Sequence, residues 1–131
     1  MKQLRLNSKI GVLGEGIALK KLLSLGFEFV TKNYLEKAGE IDIIVKKDNI
    51  FHFIEVKSVS CENLSLVGSL VFKPENNVNK IKLARIYRTI ELYMSKNSIS
   101  HETPWQIDVV SVYINTNSKQ AKVEILWNVV E

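Results

Sequence analysis

Two nearly uninterrupted apolar runs, separated by a short polar turn, constrain the fold of this chain most strongly. Residues 40–46 read EIDIIVK and residues 50–58 read IFHFIEVKS, with Lys47, Asp48 and Asn49 between them. Runs rich in β-branched and aromatic residues around a tight turn are typical of two antiparallel strands. Because apolar residues occupy consecutive positions in both runs, we expect this hairpin to be buried on both faces.

A helix is predicted before the hairpin, over residues 8–25. Asn7 or Ser8 would cap it, and Gly26 would end it. Steps of about 100° per residue collect a broad apolar arc on this helix. Glu15 falls inside the arc, whose apolar members are Val12, Ala18, Leu19, Leu22, Leu23 and Leu25.

The remaining segments complete an α/β pattern. Residues 27–36 are predicted as a first strand, and a stripe at helical spacing predicts a second helix from about residue 77 to residue 96. Residues 59–76 are interpreted as a long loop with at most one short edge strand. A closing hairpin, WQIDVVSVYI and AKVEILWNVV, would complete a mixed β-sheet flanked by helices. A length of 131 residues fits one domain, residues 1–131.

Composition excludes several classes of protein. The single Cys61 cannot form an internal disulfide, and with His52 and His101 as the only histidines a structural zinc site is excluded. No stretch approaches about 18 consecutive apolar residues, so we expect a cytoplasmic chain without a membrane partner. The formal net charge of +4 favours contact with polyanions, but only weakly.

The hairpin also brings charged residues together. A turn of only two residues, 48–49, would place Asp42 directly opposite Glu55 and Glu40 opposite Lys57. Residues two apart on a strand share a face, so all four groups would converge on one face of the sheet. A salt-bridged, solvated face is the alternative interpretation of this pattern.

Opposed carboxylates repel each other unless a positive charge lies between them. Mg²⁺ or Mn²⁺ would remove that repulsion, with Asp42 and Glu55 as ligands. Lys57 would orient the attacking water or offset charge in phosphodiester hydrolysis. If the first helix packs on the same face, Glu15 would add a further carboxylate; otherwise Glu15 is a boundary residue that extends to solvent.

The second helix carries a basic side away from its apolar stripe. This side is predicted to contact nucleic-acid phosphates, and a solvated basic face is the alternative. Asp108, a lone acid on a predicted strand, is interpreted as structural or solvent-facing. The predicted nucleic-acid-binding residues are Lys80, Lys82, Arg85 and Arg88.

Three segments carry a resemblance to a known family. They are GEGIALKKLLSLGF, KNYLEKAGEIDIIVKKDNIFHFIEVKS and PENNVNKIKLARIYRTIELYM. Together they resemble the bacterial YraN-type family of predicted endonucleases, which are relatives of archaeal Holliday junction resolvases. The resemblance spans nearly the whole chain.

The resemblance implies a restriction-endonuclease-like fold with a PD-(D/E)xK catalytic core. In that pattern Asp42 matches the acid before the hairpin turn, Glu55 and Lys57 match the final E-x-K, and Glu15 matches the acid of the first helix. Residues 58–60 read SVS where such families often carry basic residues. The expected function is a metal-dependent nuclease acting on structured or branched DNA. The alternative is a nucleic-acid-binding or protein-interaction module without catalytic turnover. The sequence leaves the oligomeric state open, and a homodimer is one possibility.

Overall fold

The computed structural model describes residues 2–62, 64 and 80–129, with side chains from residue 9 onward. Two helices and a set of strands follow the order anticipated from the pattern. The elements are α1 (Lys2–Ser24), β1 (Glu28–Glu36), β2 (Gly39–Lys47), β3 (Ile50–Ser60), α2 (Lys80–Lys96), β4 (Trp105–Asn115) and β5 (Gln120–Leu126).

The strands form one five-stranded sheet in the order β1-β2-β3-β4-β5. β2 runs antiparallel to both β1 and β3, β4 runs parallel to β3, and β5 returns antiparallel to β4. The predicted α/β class, a mixed sheet flanked by helices, is therefore confirmed. This arrangement is consistent with a restriction-endonuclease-like fold.

The tight turn between β2 and β3 has two residues, as predicted. Asp48 and Asn49 both have positive φ, of 52° and 63°, which a two-residue hairpin turn requires and which Asn and Asp tolerate better than most residues. Lys47 pairs with Ile50. The turn thus sets the register on which the geometry of the whole hairpin depends.

The hairpin is buried on both faces. On one face, Ile44 and Phe53 pack in a core with Ile90 and Tyr93 of α2. On the other face, a second core holds the side chains of α1 and includes Ala18, Leu22, Ile43, Val45, Ile54 and Val110. Each helix therefore covers a different face of the sheet, which explains why β2 and β3 are apolar at consecutive positions.

The first helix is longer than predicted at its N-terminal end. It begins at Lys2, so Asn7 and Ser8 lie inside it and the prediction that either caps it is wrong. Its end is as expected, because Gly26 has a φ of 92° and the N–H of Phe27 bonds the carbonyl of Leu22 at 3.2 Å. None of the helices in the described residues is long and apolar enough to cross a membrane.

The buried face of α1 is narrower than the predicted apolar arc. Val12 is 70% exposed, and Leu23 and Leu25 are also exposed. The helix instead buries a narrow strip with a spacing of four residues, because only one line of side chains can reach a sheet from a helix that crosses it. The strip consists of Ile10, Gly14, Ala18 and Leu22.

The segment between β3 and α2 differs from the prediction at its start. Val59 and Ser60 belong to β3, where they pair with β4, so their assignment to a loop is wrong. Residues 63 and 65–76 of the predicted loop and residues 77–79 of the predicted second helix lie outside the described residues.

Asp108 is structural, one of the two roles predicted for it. It is fully buried on β4 and lies 2.6 Å from Nδ1 of His52 on β3. It also accepts hydrogen bonds from the side chain of Gln106 and from the main chain of Asn128, both at 2.8 Å. These bonds join β3, β4 and the chain after β5, and they satisfy a buried carboxylate.

Gly14 allows α1 to approach β3 closely, and substitution there should be costly. An added Cβ would lie 1.7 Å from Oγ and 2.7 Å from Cβ of Ser58, whereas a Cβ at Gly16 would have nothing within 4 Å. We expect Gly14→Ala to lower the free energy of unfolding by about 1–3 kcal/mol. Gly16→Ala should raise it by up to about 1 kcal/mol, because alanine favours the helix. Urea denaturation of both variants measures the difference, and equal effects would contradict the close approach.

Candidate active site

The ladder between β2 and β3 stops just short of the predicted acids. Its pairs run from Lys47 with Ile50 to Ile43 with Ile54, in the predicted register. The next pair in this register, Asp42 with Glu55, is not part of the ladder. Instead, the N–H of Val56 donates to Oδ2 of Asp42 at 2.8 Å. The Asp42 side chain replaces a main-chain acceptor where the strands separate.

The prediction that four charged groups share one face assumes regular alternation along β2, and this alternation is not maintained. Ile41 and Ile44 both pack in the core beneath α2, although regular alternation would send them to opposite faces. Alternation is therefore interrupted around Asp42. Glu40 pairs with Leu35 of β1, and among the described pairs of β2 and β3 it does not oppose Lys57.

A cleft of about 450 Å³ opens between the separated strands and the start of α2. Asp42 and Glu55 lie in its wall, whereas Glu40 is exposed at its edge. The cleft is polar on the hairpin side and both apolar and basic on the helix side. Its lining residues are Gly39, Glu40, Asp42, Glu55, Ile81, Lys82, Arg85 and Ile86.

Glu55 is held by two lysines. Its side chain is 12% exposed, and its Oε1 accepts a hydrogen bond from Nζ of Lys82. Nζ of Lys57 lies 3.7 Å from the same oxygen. The prediction for Lys82 was phosphate contact alone, but the structure brings it to the acid. No local pattern could have indicated this, because helix periodicity does not reveal which sheet face the helix covers.

Asp42 is strongly perturbed. Burial, followed by the negative charge of Glu55, raises its pKa to about 7. The hydrogen bond from Val56 opposes this rise, while the charges of Glu15 and Glu40 add to it. A carboxyl group in this state readily exchanges its proton for a metal cation at neutral pH.

The two lysines are shifted in opposite directions. Burial and the neighbouring Lys82 ammonium lower the pKa of Lys57, and the charge of Glu55 only partly opposes them. For Lys82, burial works to lower the pKa, but the hydrogen bond and charge of Glu55 outweigh it and raise the value above normal. Lys82 is therefore the firmly charged partner of Glu55, and Lys57 releases its proton more easily than an ordinary lysine.

Glu15 approaches the cleft from the other side of the sheet. The prediction for Glu15 assumes that α1 packs on the sheet face of Asp42 and Glu55. Instead, α1 packs on the face of Ile43 and Ile54. Glu15 is not among the described residues that line the cleft. Burial raises its pKa, as do the charges of Glu40 and Glu55. Its carboxylate adds negative potential, and its role as an auxiliary acid stays a prediction.

Asp42 and Glu55 form a donor set that suits a hard divalent cation. Within the described residues, no group of three or more His, Cys, Asp or Glu side chains could hold a metal ion. Mg²⁺ does not need such a group, because it commonly takes one or two carboxylates and completes its shell with water and substrate phosphate. Oδ1 of Asp42 and the carboxylate of Glu55 would be its protein ligands.

A second depression, which we call the basic groove, adjoins the cleft. It lies between α2 and the turn after β1 and has a volume of about 1380 Å³. It shares Gly39, Glu40, Ile81 and Arg85 with the cleft. Of the predicted nucleic-acid-binding residues, Lys80, Arg85 and Arg88 line it and are exposed. Lys82 instead faces the cleft.

Two further lysines line the basic groove. Lys37 was missed by sequence reasoning, because nothing in its turn sequence links it to α2. Lys96 lies at the far end, where its Nζ is 2.9 Å from Oε2 of Glu36. That ion pair joins β1 to the last turn of α2, and the charge of Glu36 offsets part of the positive potential of Lys96.

Comparisons with known proteins agree on one family. Residues 14–112, which include α1 from Gly14 and the whole hairpin, match the sequence profile of "Uncharacterised protein family UPF0102". The chain is 38% identical over 119 residues to a UPF0102 protein of Campylobacter fetus, covering 91% of each chain. It is 41% identical over 102 residues to one of Campylobacter jejuni, covering 78% of this chain and 81% of the relative. A UPF0102 protein of Clostridium botulinum is 33% identical over 122 residues, covering 93% and 94%.

Asp42→Asn should stabilise the metal-free protein in a pH-dependent way. The folded chain holds this proton up to about pH 7, whereas the ordinary pKa is 3.8, so the wild type loses stability as pH rises from about 4 to 7. Asn can still accept the hydrogen bond from Val56 but does not titrate. With a chelator present, the variant should match the wild type near pH 4 and exceed it by about 1–3 kcal/mol at pH 8.

The matched control is Asp48→Asn, an identical change in the exposed turn, where asparagine also tolerates the positive φ of 52°. Chemical denaturation at several pH values measures all three proteins. A pH-independent gap between Asp42→Asn and the wild type would contradict the perturbed carboxyl group.

Proposed function

The chain belongs to the uncharacterised protein family UPF0102, and from that premise we propose that it is a metal-dependent nuclease acting on structured or branched DNA. The observation that carries the proposal is the convergence of Asp42, Glu55 and Lys57 at the point where β2 and β3 separate. The resemblance of these residues to a PD-(D/E)xK core supports it. So does the basic groove beside the cleft, whose exposed cations Lys80, Arg85 and Arg88 suit contact with a phosphate backbone.

Asp42 and Glu55 would hold Mg²⁺ or Mn²⁺, which supplies Lewis-acid charge at the scissile phosphate when bound. The main-chain N–H of Val56 fixes one oxygen of Asp42, so the other can face the cleft in a defined orientation. Preorganised ligands of this kind lose little freedom in the reaction.

Lys57 is the residue suited to the attacking water. In the hydrolysis, the water oxygen bonds to phosphorus, the P–O bond to one sugar breaks, and the departing sugar oxygen gains a proton. The lowered pKa of Lys57 allows its amine to exchange protons with water more readily than an ordinary lysine. When charged, the same group offsets negative charge that develops on the phosphoryl oxygens.

A second candidate function is nucleic-acid binding or protein interaction without turnover. One observation favours it, namely that Lys82 and Lys57 both engage Glu55, one of the two carboxylates that a metal would need. We propose the cytoplasm as the site of action for either function, in keeping with a chain that has Cys61 as its single cysteine.

Cleavage assays distinguish the two functions. Four-way junction, flap and single-stranded DNA are incubated with the wild type in Mg²⁺ or Mn²⁺. We expect cleavage of at least one branched substrate, and we expect Lys57→Ala to slow it by about 100-fold or more. Lys20→Ala, at an exposed position of α1, is the matched control and should retain full activity. Binding of all three DNAs without cleavage would favour the second candidate instead.

The basic groove predicts that the affinity for DNA depends on salt concentration. If Arg85 and Arg88 contact phosphates, replacing both with alanine should make the plot of log K against log salt concentration shallower by about 1.8, because each neutralised phosphate contributes about 0.9. Affinity should fall by a similar factor for unrelated sequences, since phosphate contacts carry no base information.

The control for this experiment removes two exposed lysines from α1, in a Lys20→Ala, Lys21→Ala double variant. Fluorescence anisotropy in a chelator measures binding without cleavage. Equal slopes for the wild type and the double arginine variant would show that α2 is not part of the DNA-binding surface.

A further inference from the structure

Lys82 engages one oxygen of Glu55, a carboxylate that the proposed metal would also need. Its Nζ hydrogen bonds Oε1 of Glu55, a side chain that is 12% exposed, and the negative charge of Asp42 acts on the same ammonium. An ammonium is a compact point charge that can neutralise carboxylates much as a cation does. In the metal-free protein, Lys82 thus relieves part of the repulsion between the two acids.

The Lys82 side chain is positioned so that it can move away from Glu55. Lys82 is 34% exposed, it belongs to α2 rather than to the hairpin, and its flexible stem enters the cleft from the helix side. Arg85 lines the cleft on the same helix, and the basic groove begins there. Displacement from Glu55 would therefore move the ammonium toward the surface where a phosphate backbone is expected.

Electrostatic repulsion disfavours a divalent cation and the Lys82 ammonium at Glu55 at the same time. A divalent cation at Glu55 would share the carboxylate with the ammoniums of Lys57 and Lys82, both directed at Oε1. Cations this close repel each other strongly in a partly buried site. A phosphate oxygen in the cleft would give the displaced ammonium a new anionic partner.

We propose that Lys82 substitutes for the metal at Glu55 in the free protein and keeps the metal away from this carboxylate until nucleic acid binds. Lys82 then pairs with the substrate phosphate. This inference rests on the proposed function, because it assumes the metal site of Asp42 and Glu55. It makes metal binding and nucleic-acid binding mutually reinforcing. It also gives Lys82 a role different from that of Lys80 and Arg88, which only grip the backbone.

The first test is Mn²⁺ affinity without nucleic acid, followed by electron paramagnetic resonance of the free ion. Lys82→Met keeps the aliphatic stem and removes the charge, so it should bind Mn²⁺ about tenfold more tightly than the wild type. Arg85→Met removes an equal charge from the same cleft and should change the affinity by less than about twofold. Lys82→Gln serves as a second variant, and thermal denaturation checks that each protein is folded.

The second test measures the coupling. A Lys57→Met background prevents cleavage, and DNA affinity is compared with and without Mn²⁺ in that protein and in the Lys57→Met, Lys82→Met double variant. The gain in DNA affinity caused by Mn²⁺ should be several-fold larger when Lys82 is present.

The outcomes separate this inference from the proposed function. If Mn²⁺ binds near Asp42 and Glu55 but Lys82→Met binds it no more tightly, or Arg85→Met gains as much, the role of Lys82 is overturned while the nuclease proposal stands. Equal Mn²⁺-induced gains in the two Lys57→Met proteins would also overturn it. If no variant binds Mn²⁺, both proposals fall.

Discussion

The hydrogen bond from the N–H of Val56 to the carboxylate of Asp42 organises the candidate site. In a continuous ladder this donor would face a carbonyl of β2, and the Asp42 side chain would stand out from the sheet. Because the carboxylate accepts the bond instead, the two strands can part without leaving a buried donor unsatisfied. The cleft, the exposure of Glu55 to it and the approach of α2 all follow from that separation.

The separation concentrates charge that the fold must balance. Burial and then the charge of Glu55, with further contributions from Glu15 and Glu40, raise the pKa of Asp42 to about 7. Lys57, on the same strand as Glu55, and Lys82, on α2, offset part of this repulsion. A site assembled in this way costs stability in the absence of a ligand, as functional sites commonly do, and a divalent cation would recover that cost.

Burial of the hairpin on both faces gives the site its rigid base. The α1 core holds Ile43 and Ile54, and the α2 core holds Ile44 and Phe53, so the last ladder pair before Asp42 is fixed from both sides. The burial of the hairpin on two faces and its two-residue turn could be predicted from the sequence, because each produces a residue pattern within a short segment. Sequence reasoning failed at Val12, whose place on an apolar arc did not predict its 70% exposure.

The sequence by itself determined the element order, the hairpin register and the candidate acids, because side-chain periodicity and turn chemistry act over a few residues. Only the tertiary structure decided that the ladder ends before Asp42, that α2 covers the face of Glu55, and that Lys82 reaches the same carboxylate. These contacts join segments 14 to 27 residues apart. They depend on which face each helix buries, and that choice is made by the packing of the whole sheet rather than by any local pattern.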